Sequence, residues 1–234
     1  MTARDDILGG IRHALKRGPL PAETQTALAE RVGAHRRNLV PARAAVLDHA
    51  GRVDLFVRMA EEVQTTLTRV ASDEDVPAEV ARYLAAENLP AELVMAPNPG
   101  LGAIPWESRP LLQIRRGRAE PEDAVSLTPC LAAVAETGTL MLVSGTDTPT
   151  TLNFLPDTHI VVLRASQVVA AYEDGWDLLR GLPAMPRTVN FITGPSRTGD
   201  IEQRIQLGAH GPRRLHVVLI EGTEETAKNA PTPA

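Results

Sequence analysis

Apolar residues recur every three or four positions over the first 70 residues and then bunch into short continuous runs, so the chain changes its period near Ser72. Ile7, Ile11 and Leu15, flanked by Leu8 and Ala14, form one helical stripe, and Thr2 with Asp5 has the spacing of a capping box. Lys16 and Arg17 sit where the negative end of that helix attracts cations, and Gly18-Pro19 stops it. Gly9-Gly10 weakens the helix by ~1 kcal/mol per glycine relative to alanine, so a docking surface is expected for it. A weaker helix is predicted over 21–34. From 43 to 70, Val53, Phe56, Ala60, Val63, Leu67 and Val70 step by three and four, which predicts a further helix packed on the protein's own core.

Beyond Ser72 a helix carrying Val80, Tyr83 and Leu84 precedes a strand at 93–96, and further runs at 124–127, 131–135, 139–143, 160–163, 189–193 and 215–220 are each long enough only for strands. Their apolar residues are continuous rather than alternating, so helices should cover both faces. A strand at 159–163, a helix at 166–180 and a strand at 188–193 read as a right-handed parallel crossover. The fold class expected is α/β, a mostly parallel sheet flanked by helices, with an N-terminal helical extension. Residues 1–71 are expected to pack on a core formed by 72–222, and 223–234, rich in Thr, Glu, Pro and Ala, to be disordered.

Charge and cysteine count narrow the function. Residues 1–70 carry 11 Lys and Arg against 8 Asp and Glu, and the remainder 13 against 21, which is too mild a basic bias for a nucleic-acid surface. Seven aromatics leave little for stacking bases. No apolar run reaches the ~20 residues of a membrane span and the first residues lack a signal-peptide core, so a cytoplasmic protein is expected. Cys130 is the single cysteine, which excludes a disulfide framework and an iron–sulfur cluster held by this chain alone.

Two loops carry candidate chemistry. In Ala135-Glu136-Thr137-Gly138-Thr139, Gly138 can take positive φ, and Glu136 is either the surface carboxylate of a hairpin turn or a group facing a ligand. In Thr193-Gly194-Pro195-Ser196-Arg197-Thr198-Gly199-Asp200-Ile201-Glu202, the glycines permit close backbone approach, and Ser196, Thr198 and Arg197 offer donors for phosphate or carboxylate at the start of a short helix ending near Gly208; a plain capped turn is the alternative. The loop lacks the P-loop ending and the three-glycine dinucleotide spacing. His210, before Gly211-Pro212, is an acid–base group or a turn residue, and His159 and His216 begin strands and cap them. No histidine pair has metal-ligand spacing. Asp147 and Asp157 read as solvated turn residues.

The glutamate turn, Leu155-Pro156 with His159-Ile160, the stretch from Ile192-Thr193-Gly194-Pro195-Ser196 to Asp200-Ile201-Glu202, and His210-Gly211-Pro212 stand in an order that resembles the LUD domain family, over roughly residues 90–221. The loop 144–151 departs from that pattern, with Asp147-Thr148-Pro149 replacing a glycine-containing run. The resemblance implies a fold similar to that shared by phosphosugar isomerases and CoA-transferases (NagB/RpiA/CoA-transferase-like). It also implies a place in the oxidation of L-lactate to pyruvate beside iron–sulfur proteins. With one cysteine, this chain would bind no cofactor and act with partners that hold the clusters. The site it implies lies between Glu136, Thr137, Gly138 and Thr139 on one side and Thr193, Gly194, Pro195, Ser196, Arg197, Asp200 and Glu202 on the other, with His210 near, holding a small anion. A second, more distant similarity, of Glu136-Thr137-Gly138 to the glutamate loop of CoA-transferases, implies instead a transferase or isomerase on an acyl-CoA, phosphosugar or folate-like substrate with Glu136 as nucleophile or base; Thr137 stands where those enzymes usually have Asn.

Overall fold

The computed structural model describes residues 2–37, 40–198 and 206–222 and divides into two compact units, Met1–Leu39 and Val40–Ala234. The first holds α1 (Ala3–Ala14) and α2 (Ala22–Ala34). The capping box that starts α1 is formed: the Asp5 amide donates to the Thr2 hydroxyl at 3.3 Å and the Thr2 amide to the Asp5 carboxylate at 3.0 Å.

The second unit begins with α3 (Ala42–Ala45), α4 (His49–Glu62) and β1 (Thr66–Val70). The single helix expected over 43–70 is therefore broken, and the compact units divide after Leu39. Gln64 adopts φ +69°, which stops α4, and Thr66-Leu67-Thr68-Arg69-Val70, with β-branched Thr66, Thr68 and Val70, continues as a strand. A three-residue step that reads as one helical stripe puts Leu67 and Val70 on opposite faces of that strand, in different cores.

Then follow α5 (Val76–Ala86), β2 (Glu92–Met95), α6 (Pro99–Gly102), β3 (Gln113–Arg116), β4 (Val125–Pro129), β5 (Ala132–Val134), β6 (Thr139–Val143), α7 (Thr151–Phe154), β7 (Thr158–Arg164), β8 (Val168–Val169), α8 (Tyr172–Arg180), β9 (Val189–Ile192), β10 (Arg197–Thr198), β11 (Gln206–Leu207) and β12 (Arg214–Ile220). Six strands form one wholly parallel sheet in the order β1-β12-β7-β4-β2-β3. Alternation along its central strands splits the core. Ile160, Val162, Val218 and Ile220 face α5 residues Val80 and Leu84, while Val161, Leu163, Val217 and Leu219 face Phe56 of α4 and Leu140 and Leu142 of β6. Both faces are covered, as the continuous apolar runs require.

The crossover expected over 159–193 does not form. β7 lies in the six-stranded sheet, but β9 pairs antiparallel with β6 in a second sheet of order β8-β5-β6-β9. The chain leaving β7 makes β8 against β5, so α8 starts at Tyr172 instead of 166. Nor does a helix end near Gly208, because Gln206-Leu207 pairs antiparallel with Arg197-Thr198. Asp200, Ile201 and Glu202, and the tail 223–234, lie outside the described residues.

Candidate functional site

Ala135–Gly138 is the turn of the β5–β6 hairpin, and Gly138 has φ +66°. A Cβ there would stand 2.4 Å from the Ala60 amide nitrogen, so only glycine lets the turn lie against the end of α4. Gly194, with φ +75°, meets the same place: its Cβ would be 2.5 Å from the Val63 carbonyl. Arg197 also donates to the Val63 carbonyl. The two loops thus converge on one helix terminus. A chain of hydroxyls joins them: Thr193 to Thr139 at 2.7 Å, Thr139 to Thr137 at 2.7 Å, and both Thr137 and Thr139 to the Tyr172 hydroxyl at 3.1 and 2.9 Å.

A cavity of about 400 Å³ opens beside this chain, at the amino ends of β7 and β12. Thr193, Gly194, Pro195, Ser196, Arg197 and His210 all line it. Ser196 ties the two bends together: its amide donates to the Pro212 carbonyl at 2.8 Å, its carbonyl accepts from Gly208 at 3.0 Å, and its hydroxyl accepts from the His210 amide at 3.3 Å. Phe154, Phe191, Ile192 and Leu215 supply apolar wall. Exposed Arg197 is thus the charged side chain among the described lining residues, with the exposed His210 imidazole also lining the pocket, a setting in which a small anion gains a charge-assisted hydrogen bond.

Glu136 is placed differently. It is buried, against the expectation of a surface carboxylate, and it does not line this cavity. One oxygen accepts from the Tyr172 amide at 3.3 Å at the start of α8, its carbonyl accepts from the Arg43 guanidinium, and Oε2 has no hydrogen-bond partner. A carboxylate at a helix amino terminus is favoured by the dipole there.

Two further residues belong to the cavity. Asn153 and His159 are buried in its floor, and the His159 ring is fully enclosed, with Nε2 at 2.7 Å from the Thr128 hydroxyl and Nδ1 without a partner. Burial pushes the His159 imidazole down to about 3, so it is neutral at physiological pH. Sequence reasoning made His159 a strand cap. The signal that could have found it is an imidazole opening the apolar run Ile160-Val161-Val162-Leu163, where a polar ring needs a partner.

The model of the LUD domain matches residues 122–220, a stretch that includes Glu136, His159, Ser196, Arg197 and His210. Residues 122–220 of this chain thus resemble a LUD domain. Among its relatives, a lactate utilization protein C of Deinococcus radiodurans is 38% identical over 99 residues, covering 42% of this chain and 46% of the relative. One of Anoxybacillus flavithermus is 33% identical over 109 residues, covering 45% and 49%. The matches therefore span less than half the length of these curated relatives. A crystal structure of a DUF162 family protein from Deinococcus radiodurans, 27% identical, superposes with a TM-score of 0.59 over 74% of this chain and 99% of that one. Among the described residues no helix is long and apolar enough to cross a membrane, and no cluster of metal-ligating side chains occurs.

Proposed function

We propose that this chain takes part in lactate utilization as an accessory protein, holding a small carboxylate or phosphate in the cavity bounded by Gly194, Ser196, Arg197 and His210 while iron–sulfur partners carry the electrons from L-lactate. The observation that carries this reading is the LUD match itself, which contains these cavity residues and whose relatives bear the name lactate utilization protein C. Cys130 fits a chain that leaves redox chemistry to others, because burial pushes its thiol up to about 12 and keeps it protonated at neutral pH.

A second reading, a transferase or isomerase acting through Glu136, is favoured by one observation, the buried Oε2 without a partner. Growth separates the two. Deleting the gene, in an organism with no second copy, should abolish growth on L-lactate as sole carbon source and spare growth on pyruvate; undiminished growth on L-lactate would contradict the proposal. A complementing copy with Glu136→Gln should restore growth under the accessory reading, since the amide oxygen still accepts from the Tyr172 amide, and fail under the catalytic one.

A further inference from the structure

The six-stranded sheet has a second opening, on the opposite edge from the first cavity. After β2 the chain moves outward to β3, whereas the strands that follow β3, namely β4, β7 and β12, build in the other direction. The gap outside the carboxyl ends of β2 and β4 is therefore the point at which connections diverge, where open parallel sheets leave a crevice for ligands. A cavity of about 350 Å³ occupies it. It is bounded by the loop after β2 (Asn98, Gly100), by Pro129 and Cys130 after β4, and by Arg164 and Gln167 at the end of β7.

Its fourth side is the loop after β6 with Asp147 and Thr148, the segment that departs from the LUD pattern and lies outside the site described above. That loop is held in place. The Asn98 amide donates to Asp147 Oδ2 at 2.8 Å, and Asn98 Oδ1 in turn accepts from Gly100 at 3.0 Å. Arg164 is held from outside by Asp73, at 2.9 Å. Its neighbour Gln167 is fixed at both ends, accepting from the Arg164 amide at 2.8 Å and donating to the Cys130 carbonyl at 2.7 Å. Each charged group is positioned by a neighbour that engages only part of its hydrogen-bonding capacity. The floor between them is aliphatic: Leu101, Ile104, Leu131, Val143 and Val162.

A lone cation would select an anion and a lone carboxylate a cation. One of each over an aliphatic floor matches a molecule with both charges and an apolar side chain. We propose that this crevice is a second small-molecule site, for an aliphatic α-amino acid, with the ligand carboxylate on Arg164, its ammonium on Asp147, and its side chain on the Leu101, Ile104 and Val162 floor. A charge-assisted contact of either kind is worth about tenfold or more in affinity. The site shares no residue with the first cavity, so the proposal stands apart from the lactate reading.

Titration calorimetry on the full chain with L-leucine tests it. Saturable binding is expected, weakened about tenfold or more for leucine methyl ester, which lacks the carboxylate, and for 4-methylpentanoate, which lacks the ammonium. Asp147→Asn should weaken L-leucine about tenfold while leaving 4-methylpentanoate unaffected or tighter, and Arg164→Gln should weaken L-leucine and 4-methylpentanoate alike. Absence of L-leucine binding at millimolar concentration, or equal binding of all three molecules, would overturn the proposal. The three-ligand comparison on the unaltered chain decides it even if a variant fails to fold.

Discussion

Gly138→Ala is expected to destabilise the α/β unit by about 3 kcal/mol or more. Two costs add. An alanine at φ +66° gives up roughly 1–2 kcal/mol to the left-handed conformation. Its methyl would lie 2.4 Å from the Ala60 nitrogen and 2.6 Å from the Met59 carbonyl carbon, both backbone atoms of α4 that cannot swing aside, and overpacking of this kind costs ~1–3 kcal/mol. For a chain of this size each kcal/mol lowers the melting temperature by roughly 2–4 °C, so a fall near 10 °C should appear in a thermal melt. Gly9→Ala makes the contrast: nothing lies within 4 Å of the position, in the interior of α1, and the substitution should stabilise that helix by up to ~1 kcal/mol. Equal melting temperatures for Gly138→Ala and the parent would mean that the hairpin turn does not rest on α4 as described.

Acid should destabilise the chain well above the ordinary carboxylate range. His159 is pushed down to about 3 by burial. His216 is pushed down to about 4, first by burial and further by Arg82, with Glu79 opposing. The His216 ring stacks on Tyr83 with centroids 3.9 Å apart, its Nδ1 lies 2.8 Å from the Thr66 hydroxyl, and Glu79 Oε1 stands 3.6 Å from Nε2. Both imidazoles ionise near 6.5 when unfolded, so between about pH 6.5 and 4 the unfolded chain binds two protons that the native chain refuses. The contribution of the two neutral rings is therefore complete above pH 7 and is lost as the pH falls through 6.5 towards 4. From pH 7.5 to 5 the loss is on the order of 3–4 kcal/mol, a drop of roughly 10 °C in melting temperature. Replacing either ring by an uncharged side chain should flatten the profile by about half even though the variant is less stable overall. A melting temperature unchanged between pH 7.5 and 5 would contradict the enclosure of both rings.

Much of the frame was legible because local chemistry dictates it. The capping box at Thr2 and Asp5, the apolar stripe of α5 and the runs that become β2, β4, β5, β6, β7, β9 and β12 stand close to where periodicity puts them. Pairing was not legible, because it is a long-range property: β1 lies beside β12, nearly the whole unit away in sequence, and β9 joins β6 rather than β7. β3 was missed since Gln113-Ile114-Arg115-Arg116 is a polar edge strand with one partner and no apolar run to announce it. At the site, the glycines were readable, as Gly138 and Gly194 sit in turns whose neighbours leave no room for a side chain. Burial was not. Nothing local distinguishes the enclosed Glu136 from a surface turn carboxylate, or His159 in a cavity floor from a cap, because both depend on α4, α7 and the second sheet closing over them.

The account rests on the cavity at the amino ends of β7 and β12 being an anion site centred on Arg197. Calorimetric titration of the full chain with L-lactate and with inorganic phosphate reads this directly, beside Arg197→Gln, which removes the charge and keeps most of the side-chain length. The expected result is saturable binding of at least one of the two anions, weakened about tenfold or more in the variant, as loss of a charge-assisted hydrogen bond demands. Failure of both anions to bind, or equal affinity in parent and variant, would contradict it.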